Sequence, residues 1–183
     1  MQITDLLQLP QIQLHSTAAD LPAAVHTLCG LLAQGDAVQD AALLEQDVLA
    51  RLAQGCICMG NGLAVPHAKT AAVRRAALAA ITLDKPMDCP TPDGEPVDLL
   101  FLIAAPEGEN DLHIRVLSSL AGLLVDKEFC RTLAAAQTPE QFRACIAEKE
   151  NAEPPQPQPK KGRHIRLLAV TACPNGLAHT YMA

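Results

Sequence analysis

The stretch "VDLLFLIAAP", residues 97–106, decides the fold class. After Asp98 it is a continuous apolar run that stops at Pro106, which is typical of a strand buried inside a sheet. Hydrophobic residues make up 49% of the chain but aromatic residues only 2%, so the core must be built from Ala, Leu, Val and Ile. That composition favours a mixed α/β protein over an aromatic-rich all-β one.

Helices and further strands are predicted on both sides of this stretch along the chain. Apolar residues at helical spacing predict helices over about 18–34, 38–54, 109–126, 127–135 and 138–149, and a short helical turn over 3–7. Ser16 or Thr17 is predicted to cap the first long helix. Further strands are predicted over 11–16, over 75–83 and on each side of the Gly60-Asn61-Gly62 turn. This mixed order of helices and strands along the chain predicts an α/β fold, a three-layer α/β/α sandwich around a mixed β-sheet.

The composition of the sequence changes near residue 150, where prolines become frequent and the apolar periodicity ends. Residues 1–150 are predicted to form one complete domain, and residues 151–163, which include "NAEPPQPQP", are predicted to be a proline-rich extended linker. Residues 164–183 read as a strand, "IRLLAV", followed by a loop entering a helix. Some 20 residues cannot bury a core by themselves, so they are predicted to be the start of a second domain.

Charge and hydropathy exclude several functions. Residues 1–150 carry 10 Lys and Arg against 19 Asp and Glu, which argues against nucleic acid as a partner. No apolar run reaches the roughly 18 residues that span a bilayer. The N-terminus "MQITDLLQLP" has no basic region before an apolar stretch, so no signal peptide is predicted and a cytoplasmic location is expected.

The chain has seven cysteines, and most of them lie in apolar stretches: Cys29, Cys56, Cys58, Cys89, Cys130, Cys145 and Cys173. The odd count without a secretion signal predicts reduced thiols. Cys56 and Cys58 form a C-x-C pair, and with His67 they are a candidate metal site. A zinc site needs two further ligands at a recognisable spacing, which the pair lacks, so no metal is predicted and core cysteines are favoured.

The stretch "NGLAVPHAK", residues 61–69, contains the first candidate functional residue, His67. Pro66 fixes its own φ and favours an extended Val65, so the backbone that enters His67 is stiff. The glycine turn before it allows a close backbone approach. A rigidly placed imidazole suits a general base, a metal ligand or a phosphoryl acceptor, and it is also compatible with a surface histidine at a strand end.

His113 and Arg51 are the next candidates. His113 lies in the first turn of a predicted helix, just after the carboxyl end of the buried strand, where α/β sheets bind ligands and helix N–H groups favour anions. Arg51 lies late in the helix before the glycine turn, and a guanidinium suits bidentate phosphate contact. The alternatives are an exposed helix histidine and a cation that compensates the helix dipole.

Cys173 is the fourth candidate, at a strand-to-helix turn whose N–H groups lower a thiol's pKa. Two histidines, an arginine and a cysteine without metal-ligand spacing point to phosphoryl transfer. No G-x-x-x-x-G-K-[ST] loop is present, so ATP is not expected as the donor and no cofactor is predicted.

These motifs resemble a known family. "GNGLAVPHAKT" (60–70), with Arg51 upstream and "APEGENDLHIRVLSSLAGLL" (105–124) downstream, resembles the fructose/mannitol-type enzyme IIA domain of the bacterial phosphoenolpyruvate:sugar phosphotransferase system. "VTACPNGLAHTYMA" (170–183) is similar to the opening of a fructose-type enzyme IIB domain. The first likeness covers about residues 1–148.

The resemblance implies specific roles. His67 is expected to accept a phosphoryl group from the carrier HPr, and His113 and Arg51 to hold and neutralise it, beside the pocket turn Gly60-Asn61-Gly62. The acceptor is expected to be a IIB cysteine, in cis or in trans, matching Cys173. A membrane permease domain, IIC, is expected as an indirect partner, through which a cytoplasmic protein could lie at the inner face of the membrane. The alternative is a nitrogen-type regulatory IIA protein that controls a partner by its phosphorylation state.

Overall fold

The computed structural model describes residues 2–55, 57–108 and 110–152. The chain divides into two units, residues 1–152 and 153–183, and the second lies outside the described residues. The described helices are α1 (Ile3–Leu6), α2 (Leu21–Ala33), α3 (Ala41–Leu52), α4 (Asn110–Leu124), α5 (Lys127–Ala134) and α6 (Pro139–Ala152). The described strands are β1 (Ile12–Ser16), β2 (Cys58–Gly60), β3 (Leu63–Ala64), β4 (His67–Lys69), β5 (Ala77–Met87) and β6 (Val97–Ala105). Within the described ranges, none of the helices has the length and apolar character that crossing a membrane requires.

The sheet is mixed and is built around β6, the strand of the opening stretch. Its order is β1-β5-β6-β3-β2, and β4 also pairs with β6. The β5 strand runs antiparallel to β6, whereas β3 and β4 run parallel to it. The predicted burial of residues 97–106 is confirmed, because β6 is buried along its length apart from the partly buried Asp98.

Helices cover both faces of this sheet. Leu100 and Leu102 of β6 pack with α2 and α3, while Phe101 and Ile103, which point to the opposite face, pack with α1, α4, α5 and α6. Two separate apolar cores result, one on each side of the sheet. The predicted three-layer α/β/α sandwich around a mixed sheet is confirmed.

The N-cap of α2 differs from the prediction. The Asp20 carboxylate accepts the N–H of Ala23 at 2.8 Å, and a proline lies at the start of the helix, where its missing N–H costs nothing. Ser16 belongs to β1 instead. The prediction of Ser16 or Thr17 as the cap is wrong, because an aspartate next to an N-terminal proline is a stronger start signal.

Two other elements end at different residues than predicted. The predicted strand 75–83 is present but continues to Met87, even though Pro86 lies in it. The α6 helix continues to Ala152, so residues 151 and 152 are helical rather than linker. The rest of the predicted linker, 153–163, and the predicted second-domain fragment, 164–183, lie outside the described residues.

The prediction of reduced cysteines is wrong for one pair, since Cys58 and Cys89 form a disulfide. They are 31 residues apart in sequence, and only the sheet brings the start of β2 beside the loop after β5. Cys29, Cys130 and Cys145 are free thiols. Burial raises the pKa of Cys29 to about 12 and that of Cys130 to about 11, which suits inert core residues.

Candidate functional site

His67 is positioned by two short strands, β3 and β4, which pair one after the other with the same side of β6. In β3, Leu63 pairs with Leu99, and after a two-residue interruption β4 resumes with His67 opposite Ile103. The Pro66 carbonyl between them accepts the N–H of Ile103 at 3.0 Å, which keeps the chain on the sheet. His67 therefore begins a strand instead of leaving one.

One hydrogen bond fixes the tautomer of His67. Its Nδ1 lies 2.9 Å from the carbonyl oxygen of Val65. Because a carbonyl oxygen only accepts, Nδ1 must carry the proton and donate it. The neutral ring then has its lone pair on Nε2, the nitrogen suited to nucleophilic attack. The sequence Val-Pro-His creates this contact locally, since the rigid Pro66 links the carbonyl to the ring that it orients.

His113 lies against His67. The two ring centroids are 5.5 Å apart, with the planes tilted by 54°. His113 is 8% exposed, and its Nδ1 is buried without a hydrogen-bond partner among the described residues. Burial, followed by the charges of His67, Lys69 and Arg51, lowers the pKa of His113. His113 is consequently a neutral imidazole near pH 7, not a fixed cation.

Arg51 and Lys69 provide the permanent positive charge. Arg51 is exposed in the last turn of α3, a helix that contacts β4, and Lys69 is the last residue of β4. After burial and the charge of His67, the charges of Lys69 and Arg51 are further causes that lower the pKa of His113. The structure thus places His67 and His113 in contact, and it places α3, the helix that carries Arg51, against the strand of His67.

Sequence reasoning missed Lys69, although a signal was present. Lys69 follows His67 by two residues, the spacing that places both side chains on one face of a strand. Reading "PHAK" as the end of a strand removed that periodicity, whereas the structure shows that His67–Lys69 is itself a strand.

The glycine turn lies apart from the histidines. Gly62 accepts the backbone N–H of Leu99 at 3.1 Å, whereas His67 pairs with Ile103. Four residues along a strand are about 13 Å. The predicted pocket turn Gly60-Asn61-Gly62 is therefore not brought to His67.

The turn is stabilised by a neighbouring loop. Gly60, Asn61 and Gly62 all have positive φ, at 87°, 56° and 74°. The N–H of Asn61 donates to the Asp93 carboxylate at 2.6 Å, and this bond is the main cause that lowers the pKa of Asp93. The N–H of Asn61 is thus already bonded to a carboxylate. The turn therefore serves to stabilise β2 and β3.

An apolar cavity lies along α4, and two of its lining residues, Val65 and Ile114, are close in sequence to His67 and His113. Its volume is about 380 Å³. The lining residues come from β2, from the segment before His67 and from α4: Met59, Val65, Ile114, Leu117, Ser118, Leu120 and Ala121. Met59 is 48% exposed and Ile114 is 62% exposed, which is unusual for large apolar side chains in this chain. The cavity gives the site an apolar border that is open to solvent.

The metal alternative finds little support. In the described ranges, no three His, Cys, Asp or Glu side chains cluster as metal ligands do. Cys58 is bonded to Cys89, which removes its thiolate from any metal site. Cys56 and Cys173 lie outside the described residues.

Comparison with known proteins assigns the domain to a family. A family model described as "Phosphoenolpyruvate-dependent sugar phosphotransferase system, EIIA 2" matches residues 5–149. The chain belongs to this family. The resemblance drawn from residues 60–70 and 105–124 is confirmed.

Three relatives show how the EIIA 2 domain occurs. The chain is 35% identical to the 2-O-alpha-mannosyl-D-glycerate-specific EIIABC component of Escherichia coli K12, and 35% identical to the fructose-specific EIIABC component of Bacillus subtilis 168. All of this chain matches in both cases, but it spans only 28% and 30% of those relatives. The crystal structure of nitrogen regulatory protein IIA-Ntr from Neisseria meningitidis has a TM-score of 0.72 and 30% identity, over 79% of this chain and 98% of that one.

Proposed function

We propose that this protein is a phosphoryl-transfer component of a sugar phosphotransferase system. Nε2 of His67 attacks the phosphorus of phospho-HPr. The donor's P–N bond breaks and its electron pair returns to the donor imidazole, while a P–N bond to His67 forms. The group then moves to the sulfur of a IIB cysteine, either Cys173 or one on another chain, and breaks the bond to His67. The observation that carries this proposal is the bond from His67 Nδ1–H to Val65, which leaves Nε2 as the nucleophile.

The surroundings of His67 suit this chemistry. A metaphosphate-like transition state is stabilised by positioning and by charge rather than by covalent help. His113 supports the ring of His67 at 5.5 Å, and Arg51 adds a guanidinium. A neutral His113 is able to donate one N–H to a phosphoryl oxygen.

The apolar cavity supports a protein as the phosphoryl donor. A small phosphorylated metabolite is recognised by polar groups, whereas protein interfaces bury apolar cores within polar rims. Exposed Met59 and Ile114, which line this cavity, fit the second pattern. We therefore assign HPr and a IIB domain as partners that dock here in turn, on the cytoplasmic side of a IIC permease.

Mass spectrometry tests the proposal directly. The protein is incubated with phosphoenolpyruvate, enzyme I and HPr, and is expected to gain one acid-labile group of about 80 Da, a single covalent intermediate. His67→Ala should abolish the gain. His26→Gln, which changes an exposed histidine of α2, should keep it. An adduct that persists in His67→Ala would refute the assignment.

The sugar is proposed to be of the fructose class, on the strength of the likeness to the Bacillus subtilis component. The other EIIABC relative is named for a different sugar, so the assignment needs its own measurement. Phosphoryl transfer from the phosphorylated protein is compared between a fructose-specific IIB domain and a mannosylglycerate-specific one. Faster transfer to the second domain overturns the fructose assignment but leaves the phosphoryl-transfer role intact.

A regulatory role is the second candidate, because IIA-Ntr matches over 98% of its own length. In that case phosphorylated His67 would control binding to a partner and would not pass its group on. Transfer to any IIB cysteine, measured by loss of the adduct from His67, distinguishes the two. Persistent phospho-His67 in the presence of IIB domains, together with phosphorylation-dependent binding to another protein, favours regulation.

A further inference from the structure

Lys69 shares one face of β4 with His67. The residue between them, Ala68, is buried in the core formed with α2 and α3. Because successive strand residues point to opposite faces, His67 and Lys69 both lie on the face covered by α4, the helix that carries His113.

Lys69 also lies at the edge of the sheet where α4 begins. It pairs with Ala105, the last residue of β6. The chain leaves β6 there and enters α4 at Asn110 within a few residues. Since β4 and β6 are parallel, Lys69 lies at their common carboxyl edge, the position at which α/β sheets bind ligands.

The charge balance of the site needs a second cation. A phosphoryl group bound to a side chain carries about two negative charges near neutral pH. Arg51 supplies one positive charge, and His113 is neutral because burial and nearby cations lower its pKa. Lys69, on the same face of β4 as His67, is a second cation at this edge of the sheet.

We propose that Lys69 is a phosphoryl-binding residue of this site: its ammonium group contacts the phosphoryl oxygens while the group is transferred to Nε2 of His67. This rests on the proposed function and adds a residue to it. Lys69 contributes only N–H···O contacts and exchanges no atoms, so the P–N exchange balances without it. Arg51 from α3 and Lys69 from β4 then neutralise the group from two sides.

The alternative is that Lys69 contacts an acidic residue of the protein donor. Its position on the face of β4 that carries His67, at the carboxyl edge shared with β6, favours the inner position. Phosphoramidate, a small phosphoryl donor with no protein surface, separates the two roles. A contact with the phosphoryl group matters for both donors, whereas a contact with a protein matters only for phospho-HPr.

The test measures the rate of His67 phosphorylation in Lys69→Met, Lys69→Arg and Lys85→Met. Lys85, an exposed lysine of β5, is the matched control. It lies about 26 Å along β5 from Ala77, the residue of that strand that pairs with β6 close to Lys69. Lys69→Met is expected to lower the rate about tenfold with both donors. Lys69→Arg should recover most of it, and Lys85→Met should match the wild type.

Each other result overturns the inference in a recognisable way. A loss with phospho-HPr alone, seen as a raised KM at unchanged kcat, assigns Lys69 to the partner interface. Equal rates for Lys69→Met and the wild type with both donors give Lys69 no role. If the wild type accepts phosphate from phosphoramidate but not from phospho-HPr, the proposed function fails, while the Lys69 comparison still gives its answer.

Discussion

A single backbone carbonyl determines which nitrogen of His67 can react. The Val65 carbonyl accepts Nδ1–H, and the lone pair is therefore on Nε2. The sequence shows the order Val-Pro-His that creates this contact. It does not show that the Val65 carbonyl oxygen lies within hydrogen-bond distance of the ring. The residue types of the site were thus predictable, whereas its reactive atom was not.

Replacing His113 tests its supporting role. His113→Gln removes the ring that packs against His67 and changes the hydrogen bond available to a phosphoryl oxygen. Transfer from phospho-HPr is expected to slow by about 100-fold, while His67 remains modifiable at long times. Time-resolved mass spectrometry measures both. An unchanged rate, or complete loss of modification in a folded variant, would contradict this role.

His113 also makes stability depend on pH. Burial lowers its pKa below the ordinary value of 6.5, so the unfolded chain takes up this proton at a higher pH than the folded protein does. The stabilising contribution is fully present above pH 6.5 and is lost as the pH falls toward the folded pKa.

The free energy of unfolding of the wild type should therefore rise between pH 5 and pH 7 more steeply than that of His113→Gln, because only the wild type carries this group. Urea titrations at several pH values measure the difference, and histidines that do not contact His113, such as the exposed His26, cancel in the comparison. Parallel curves for the two proteins would be incompatible with a depressed His113 pKa.

At the scale of elements, the short strands around the glycine turn set the position of His67. Gly62 has a φ of 74°, and a Cβ there would lie 2.8 Å from Oδ1 of Asp98. Gly30 differs, since it lies inside α2 and an added Cβ meets nothing within 4 Å. The two glycines form a matched pair for one substitution.

Gly62→Ala is expected to lower the free energy of unfolding by about 2 kcal/mol, because the alanine must adopt a left-handed conformation against a half-buried carboxylate. Gly30→Ala should instead raise it by about 0.5 to 1 kcal/mol, since alanine favours a helix. Denaturant unfolding measures both. Equal stability of the two variants would mean that the turn tolerates a side chain.

Periodicity predicted the long elements and failed at the short ones. The opening stretch, 97–106, is β6 and lies at the centre of the sheet, as its apolar run indicated. Lys69 was missed because β4 has only three residues, so that "PHAK" reads as the end of a strand and the two-residue spacing of His67 and Lys69 was not used. The Cys58–Cys89 contact depends on how β2 lies against a loop 31 residues later, which no local pattern encodes.

At the scale of the whole molecule, the two ends of the described domain are held together. The Glu150 carboxylate, near the end of α6, accepts the backbone N–H groups of Ile3 and Thr4 at the start of α1, and the Thr4 hydroxyl at 2.9 Å. Arg143 donates to the carbonyls of Leu7 and Thr4, both at 3.0 Å. The α1 helix has four residues and depends on these contacts.

Glu150→Gln is expected to destabilise the domain by about 1 kcal/mol, since an amide loses the charge at the helix start and one of two acceptor oxygens. Glu148→Gln, at an exposed position of the same helix, serves as the control. Thermal unfolding and hydrogen exchange at Ile3 and Thr4 measure the effect. Unchanged protection of those two amides would show that α1 is held by its apolar contacts alone.

The most direct test of the proposed chemistry identifies the nitrogen that bears phosphorus. The protein is labelled with 15N-histidine, phosphorylated with phosphoenolpyruvate, enzyme I and HPr, and the ring nitrogens of His67 are read by NMR through their coupling to 31P. The geometry predicts coupling at Nε2 of His67, with Nδ1 still protonated and bonded to Val65. Phosphorus on Nδ1, on another residue or on none would contradict it.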